Sequence, residues 1–251
     1  MAIIRLPAFP RPRLLLLLLS VLLLAGCAAA PLPAPAPDAA ADEPLSQRYA
    51  RLQREQGGRL YRLDAAQSAV RIHVFRAGRA AQLGHNHVLA APRLEGLAWL
   101  PATGLAGARF ELELRLAELA LDPPELRAAL GPGWASAISP EMVAATRANM
   151  LGDGNLQAGA FPLLRLRSLQ VVGELPKLAA QIEIELHGQR RCQWLALQAE
   201  RSEAGLAVRG ALALLQSEFG IAPFSVGAGL LAVQDALTVE FDLRLQTGPG
   251  W

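Results

Sequence analysis

The sequence has few cysteines and few aromatic residues, and these shortages exclude several classes of protein. Its two cysteines, Cys27 and Cys192, cannot supply a framework of disulfides, so a buried core must stabilise the fold. Aromatic residues make up 5% of the chain and basic residues are scattered, so no basic patch interleaved with aromatics is present to bind nucleic acid. The triplet His85-Asn86-His87 alone is not sufficient for a nuclease.

The sequence also lacks the motif of the common serine hydrolases. No G-x-S-x-G segment precedes a helix, so nothing indicates the sharp turn that exposes a nucleophilic serine. Ser217, His187 and Asp235 have the residue types of a catalytic triad, but without that turn they do not predict one. We therefore expect a binding protein rather than an enzyme.

The N-terminus has the organisation of a bacterial export signal. Three arginines precede an apolar run at residues 14–24, which is too short to span a bilayer and is typical of a signal-peptide core. The run ends in Leu24-Ala25-Gly26-Cys27, which looks like the lipobox of bacterial lipoproteins. This resemblance implies that residues 1–26 are removed and that acylated Cys27 anchors the protein in a membrane. Ala28 at the next position predicts the outer membrane of a Gram-negative envelope, facing the periplasm.

The next segment has the composition of a tether. Residues 28–44 are rich in alanine and proline, bury little and favour extended polyproline II structure. A short helix is predicted at residues 46–56, ended by Gly57-Gly58. We therefore divide the chain into a signal peptide (1–26), a tether with a short helix (27–58), a folded domain (59–247) and a tail (248–251).

The folded domain shows the alternation typical of β-strands with one wet face. Apolar and polar residues alternate in the segments 110–116, 182–187 and 237–246. Further strands are predicted near 60–64, 68–76, 84–100 with a break at Pro92, 162–175, 191–200 and 205–217. So many short strands in one domain predict a mainly β protein with an antiparallel, eight-stranded, lipocalin-like barrel.

One segment interrupts the strands. Asp122-Pro123-Pro124 and Ser139-Pro140 each offer an N-cap followed by proline, and predict helices at 124–130 and 140–151. This helical insertion is expected to cover one end of the barrel. Arg147, on the second helix, is expected to face the barrel mouth.

Six short segments mark the folded domain, in the order Tyr61-Arg62-Leu63-Asp64, Ser68-Ala69-Val70, Phe161-Pro162, Leu186-His187-Gly188-Gln189-Arg190, Ser217-Glu218-Phe219-Gly220-Ile221 and Val233-Gln234-Asp235-Ala236-Leu237. In this order they resemble the YceI-like family, bacterial polyisoprenoid-binding domains with a lipocalin-like barrel. The sequence departs from the family pattern at Gln67, Glu218 and the His85-Asn86-His87 triplet. The resemblance therefore implies the fold more directly than the ligand.

The first functional hypothesis is a membrane-anchored barrel that holds an isoprenoid or quinone-like lipid, or a similar amphiphile. Few aromatics and many small residues favour a cavity inside the barrel over a solid core. The polar triplet is expected to bind the lipid head group, with Arg147 adding a positive charge. The residues predicted to bind the ligand are His85, Asn86, His87, Phe110, Leu112, Leu114, Arg147, Leu166, Ile184, Leu214, Phe219 and Phe241.

The alternative is an envelope protein in which His85 and His87 bind a metal or haem, with a redox role. On a strand these two residues would point to the same face. A metal site needs three or four ligands, yet the first carboxylate after the pair is Glu95, eight residues beyond His87. His73 and His187 fall on the charged faces of their predicted strands. The sequence alone leaves both hypotheses open.

Overall fold

The computed structural model describes residues 43–247, so the signal peptide, Cys27, the Ala/Pro-rich tether up to Asp42 and the tail at 248–251 lie outside the described residues. The helices are α1 (Leu45–Gln56), α2 (Pro124–Ala129) and α3 (Pro140–Leu151). The strands are β1 (Arg59–Leu63), β2 (Ala69–Ala77), β3 (His87–Ala90), β4 (Glu95–Leu100), β5 (Arg109–Arg115), β6 (Ala120–Leu121), β7 (Leu163–Glu174), β8 (Lys177–Leu186), β9 (Gln189–Ser202), β10 (Gly205–Leu215), β11 (Ser225–Val226) and β12 (Leu231–Gln246).

These strands form the predicted eight-stranded antiparallel barrel. Three of the eight are interrupted, so that β1 and β2, β3 and β4, and β5 and β6 are each two halves of one long strand. Each strand pairs with the next along the chain, and β12 closes the barrel by pairing with both β1 and β2. We call the end that bears residues 122–162 the insertion end, and the end where β1 begins the opposite end.

The alternation in the sequence explains which side chains face inward. Leu112, Leu166 and Ile184 are neighbours across β5, β7 and β8, and all three point into the barrel. On the outer face of the same strands, Arg165 lies 3.1 Å from Glu113 and 3.9 Å from Glu185. The predicted one-sided strands are therefore confirmed, with ion pairs on the solvent face.

The β3–β4 region corrects one sequence prediction. Strand structure was expected over residues 84–100 with a break at Pro92. The break is confirmed at residues 91–94, but β3 begins only at His87. The reason is that Asn86 is used by the loop: its Oδ1 accepts from the Arg76 N–H at 2.9 Å, and its Nδ2 donates to the Gly133 carbonyl at 3.1 Å. His85 therefore precedes the strand and does not share a strand face with His87.

The helical insertion forms as predicted. The Ser139 hydroxyl caps α3 by accepting from the Met142 N–H at 3.3 Å, and a proline occupies the first turn. Met150 and Leu151, at the end of α3, and Leu156 beyond it pack against the barrel core. The insertion therefore covers the end of the barrel at which β7 begins.

The first helix packs outside the barrel. Tyr49 of α1 is buried against Leu60, Leu97 and Trp99 in a small cluster separate from the main core. The Trp99 indole N–H donates to the Gly57 carbonyl at 2.7 Å. Gly57 adopts φ +68° and ends the helix. The described helices include none that is long and apolar enough to cross a membrane.

Candidate functional site

The barrel encloses a cavity of about 370 Å³ that is lined almost entirely by aliphatic side chains. A cavity of this size lies in the range of small-molecule sites. The predicted ligand-binding residues that line it are Phe110, Leu112, Leu114, Leu166, Ile184, Leu214 and Phe241. Their inward orientation follows from strand periodicity, and their role in binding stays a prediction.

Small residues keep the lumen open. Gly210 lies opposite Phe241, and a Cβ at Gly210 would come within 2.5 Å of the Phe241 ring. Gly96 lies opposite Leu112, and a Cβ there would come within 2.4 Å of a Leu112 methyl group. Because these large side chains lie over glycines, they take up less of the lumen than they would beside a larger neighbour.

The cavity has one polar end. Among the described residues that line it, six are polar, and only Arg109 lies at the opposite end of the barrel. The other five lie at the insertion end and are His87, Thr146, Asn149, Asn155 and Gln216. The lumen is therefore amphipathic along its length, with a hydrocarbon-like interior and hydrogen-bonding groups at the covered end.

His87 is held by a buried carboxylate. Its Nδ1 lies 2.6 Å from Oδ2 of Asp122, whose side chain is 1% exposed. An ionised carboxylate only accepts hydrogen bonds, so Nδ1 carries the proton. Nε2 is then the ring nitrogen left for a ligand, and it makes no hydrogen bond within the described part of the chain.

Asp122 in turn depends on two other donors. Its Oδ1 accepts from the Val88 N–H at 3.0 Å and from Nη1 of Arg127 at 2.8 Å. Burial alone would raise the pKa of Asp122. The hydrogen bonds to its carboxylate, of which that from His87 has the largest effect, instead hold this pKa below its ordinary value. Asp122 adopts φ +52°, a left-handed conformation that aspartate tolerates better than most residues.

Arg127 of α2 ties the loops of the insertion end together. Its guanidinium donates to the carbonyls of Asn86 at 2.6 Å, Trp134 at 2.6 Å and Ser136 at 3.0 Å, besides Asp122. Sequence reasoning missed the role of both charged residues: Asp122 was predicted to cap a helix, whereas the N-cap of α2 is Pro123, and Arg127 was assigned no role. The usable signal was an acid immediately before Pro-Pro followed five residues later by arginine.

Other predicted site residues lie elsewhere. His85 does not line the cavity: its Nδ1 lies 2.9 Å from the Ser136 hydroxyl, and burial lowers its pKa. Arg147 of α3 donates to the carbonyls of Leu119 and Ala117 and so fastens the helix to the barrel instead of facing the mouth. Two further predicted residues also lie outside the cavity lining. The Asn86 side chain forms hydrogen bonds within the loops, and Phe219 is buried elsewhere in the core.

The alternative chemistries gain no support from this geometry. Within residues 43–247 no group of three or more His, Cys, Asp or Glu side chains is placed to hold a metal ion. His73, expected on a charged strand face, is buried and packs edge-on against Trp134. The Ser217 hydroxyl donates to Asp235, whereas His187 Nδ1 lies 2.9 Å from the Phe219 carbonyl, so the triad residues are not arranged as a triad.

Comparison with solved structures identifies the barrel. BcnA from Burkholderia cenocepacia has a TM-score of 0.52 at 14% sequence identity, covering 74% of this chain and 99% of BcnA. A polyisoprenoid-binding domain from Saccharophagus degradans has a TM-score of 0.50 at 14% identity, covering 75% of this chain and 98% of that domain. The fold is that of the YceI-like, polyisoprenoid-binding domains.

At 14% identity, the likeness establishes the fold of the YceI-like barrel. No family model matches the sequence, and no curated protein matches it. What this YceI-like barrel binds must therefore be argued from its own lumen.

Proposed function

We propose that the protein is an envelope lipoprotein whose YceI-like barrel holds an isoprenoid lipid, or an amphiphile of similar shape, with its tail in the lumen. The observation that carries this proposal is the amphipathic cavity, which is apolar along the barrel and polar only near the insertion end and at Arg109. A hydrocarbon tail gains free energy by leaving water for such a lining, at about 25 cal/mol per Å² of apolar surface buried.

The polar end supports a ligand with a head group. Nε2 of His87 and the side-chain amide of Asn149 line the cavity and have no partner among the described residues. A ligand that was only hydrocarbon would remove such groups from water without replacing their hydrogen bonds, at about 1 to 3 kcal/mol for each. A hydroxyl, carbonyl or phosphate at the end of the tail would satisfy them.

Two further observations support the class of ligand and the location. The Saccharophagus degradans domain with the same fold is described as polyisoprenoid-binding, which favours a long unsaturated tail over a compact ligand. The segment Leu24-Ala25-Gly26-Cys27 after an apolar run favours acylation of Cys27 and anchoring in the outer membrane, facing the periplasm. The class of ligand, the membrane location and a role in binding without catalysis are all parts of this proposal.

Native mass spectrometry of the protein purified from its own membrane tests the ligand. We expect a bound lipid that is released by organic extraction from the wild type and is absent from Ala199→Phe, which places a ring in the lumen. Ala196→Phe is the matched control, because Ala196 lies on the same strand but is exposed. Loss of the lipid from both variants, or from neither, contradicts binding in the lumen.

Cell fractionation tests the anchor. Cys27→Ala removes the proposed acylation site, so we expect an unprocessed precursor in place of the mature lipoprotein of the outer membrane. Metabolic labelling with a fatty acid should then mark the wild type alone. Unchanged size, fractionation and labelling would contradict the anchor.

A further inference from the structure

Two neighbouring turns at the insertion end expose large apolar side chains to solvent. These side chains, which we call the mouth patch, are Leu83, Phe224, Val226 and Leu230, and they are 71%, 39%, 44% and 45% exposed. Single exposed apolar residues are common on proteins, but several together at a cavity mark an interaction surface.

The backbone holds these residues together. The N–H groups of Arg79 and Ala80 donate to the carbonyls of Gly229 at 3.1 Å and Leu230 at 2.9 Å, which joins the turn at 78–84 to the turn at 227–230. β11 pairs with the start of β12, so that Val226 lies opposite Leu231. The mouth patch therefore spans two fastened turns.

The mouth patch is continuous with the lumen. Phe224 is both exposed and part of the cavity lining, and the Val233 N–H, from another lining residue, donates to the Phe224 carbonyl at 3.0 Å. Asn149 of α3 is likewise exposed while lining the cavity. A lipid that enters or leaves at this end passes directly over an apolar surface.

Two arginines, Arg76 and Arg79, flank the mouth patch. Arg76 donates to the Gly84 carbonyl at 3.0 Å and Arg79 to the Ala228 carbonyl at 3.2 Å, and neither forms an ion pair within residues 43–247. The nearby carboxylate of Asp235 accepts from both the hydroxyl and the N–H of Ser217. Exposed apolar side chains flanked by arginines are the combination that binds the interface of an anionic bilayer.

We propose that the mouth patch docks the barrel on a bilayer surface that contains anionic phospholipids, with Leu83 and Leu230 entering the interface and Arg76 and Arg79 meeting the phosphates. The inference rests on the proposed function in one respect, since a lipid ligand has to be exchanged with a membrane. A second exposed apolar site, Val172 on β7, serves as the control because the hairpin beside it carries the carboxylate of Glu174.

The test places an environment-sensitive fluorophore on the full-length, acylated protein. A Cys192→Ser background removes the exposed thiol, and Leu83→Cys or Val172→Cys then receives the label. The vesicles contain phosphatidylethanolamine with or without phosphatidylglycerol and no isoprenoid, so docking is measured independently of filling the lumen. We expect a blue shift of the emission, and quenching by brominated lipid, for the label at position 83 alone and only with phosphatidylglycerol.

Charge reversal completes the test. Arg79→Glu should weaken the docking equilibrium about thirtyfold, because it changes the charge by two and each elementary charge near an anionic surface contributes about 1 kcal/mol, or about fivefold. Arg201→Glu, an exposed arginine at the opposite end, should leave it unchanged. The proposal is overturned if both labels remain in water, if both respond equally, or if position 83 shifts without vesicles in a concentration-dependent way, which would make the patch an interface between two copies.

Discussion

The two apolar clusters of this protein differ in how they are filled. Under α1, Tyr49 and Trp99 are 2% and 3% exposed and pack with two leucines into a solid cluster. The barrel interior is much larger, yet it surrounds a cavity of about 370 Å³ lined mainly by aliphatic residues. Tyr49 and Trp99 therefore fill the outer cluster, whereas glycine and alanine help to keep the lumen open around Phe110 and Phe241.

This difference separates stability from binding. The outer cluster contains no cavity-lining aromatic residue, so its role is to hold α1 on β1 and β4. The lumen contributes apolar burial along its walls but leaves space that only a ligand fills. Truncations in the first cluster should therefore lower the free energy of unfolding more than truncations in the wall of the lumen, and substitutions that fill the lumen or remove its polar groups should change binding.

The largest expected effect on stability comes from the solid cluster. Trp99→Ala should lower the free energy of unfolding by about 3 to 5 kcal/mol, because it leaves a cavity that its neighbours cannot fill and removes the hydrogen bond to Gly57. Urea denaturation followed by circular dichroism measures the change. A loss below about 1 kcal/mol would mean that the outer cluster is not solid.

At the polar end of the lumen, the comparison predicts a change in binding. His87→Ala should weaken lipid binding by about 1 to 3 kcal/mol, because Nε2 is the ring nitrogen left for a head group. His85→Ala is the matched control and should bind like the wild type, since that side chain contacts Ser136 outside the lumen. Titration with a fluorescent isoprenoid analogue measures the binding of both variants. If the two substitutions weakened binding equally, both histidines would contribute to the site.

In the wall of the lumen, a large truncation should have a moderate effect. Phe241→Ala should cost about 1 to 2 kcal/mol of stability, less than a solid core would lose, because the ring already borders open space. Lipid binding should persist in the enlarged lumen. Parallel unfolding and binding curves test this, and a stability loss as large as that of Trp99→Ala would indicate a filled interior.

The smallest expected effect is the acid response of Asp122. Its pKa in the folded protein is lowered, so its ionised form stabilises the fold above about pH 4, the ordinary aspartate pKa. This contribution is lost as the pH falls through the lowered folded pKa. Asp122→Asn should therefore flatten the decline in stability as the pH falls below about 4. An unchanged acid profile would show that the carboxylate is not the titrating group.

The sequence predicted features whose causes are local. The alternation over 237–246 predicted β12, and Ser139-Pro140 predicted the start of α3, because strand periodicity and helix capping depend on neighbouring residues. The inward set on the strands followed from the same periodicity. These local signals were enough for the barrel and for most of its lining.

The polar end was predicted less well because its contacts span long stretches of chain. Arg127 bonds to Asn86, 41 positions away, and His87 to Asp122, 35 positions away. No pattern within a single element encodes such pairs. His85 and His87 looked equivalent for this reason, although the chain conformation at Asn86 directs only His87 into the lumen.

The pairing of the first and last strands affects the order in which the barrel folds. Seven of the eight strand pairs join consecutive strands, but the eighth joins β12 to β1 and β2, where the Gln246 side-chain amide also donates to the Asp64 carboxylate across 182 positions. Contacts between distant residues form late, since they must overcome the entropy of closing a long loop. A chain whose last strand has not yet paired can form hairpins but has no closed lumen. Any ligand of the lumen can therefore bind only after the last strand has paired with the first, so binding depends on a step that comes at the end of folding.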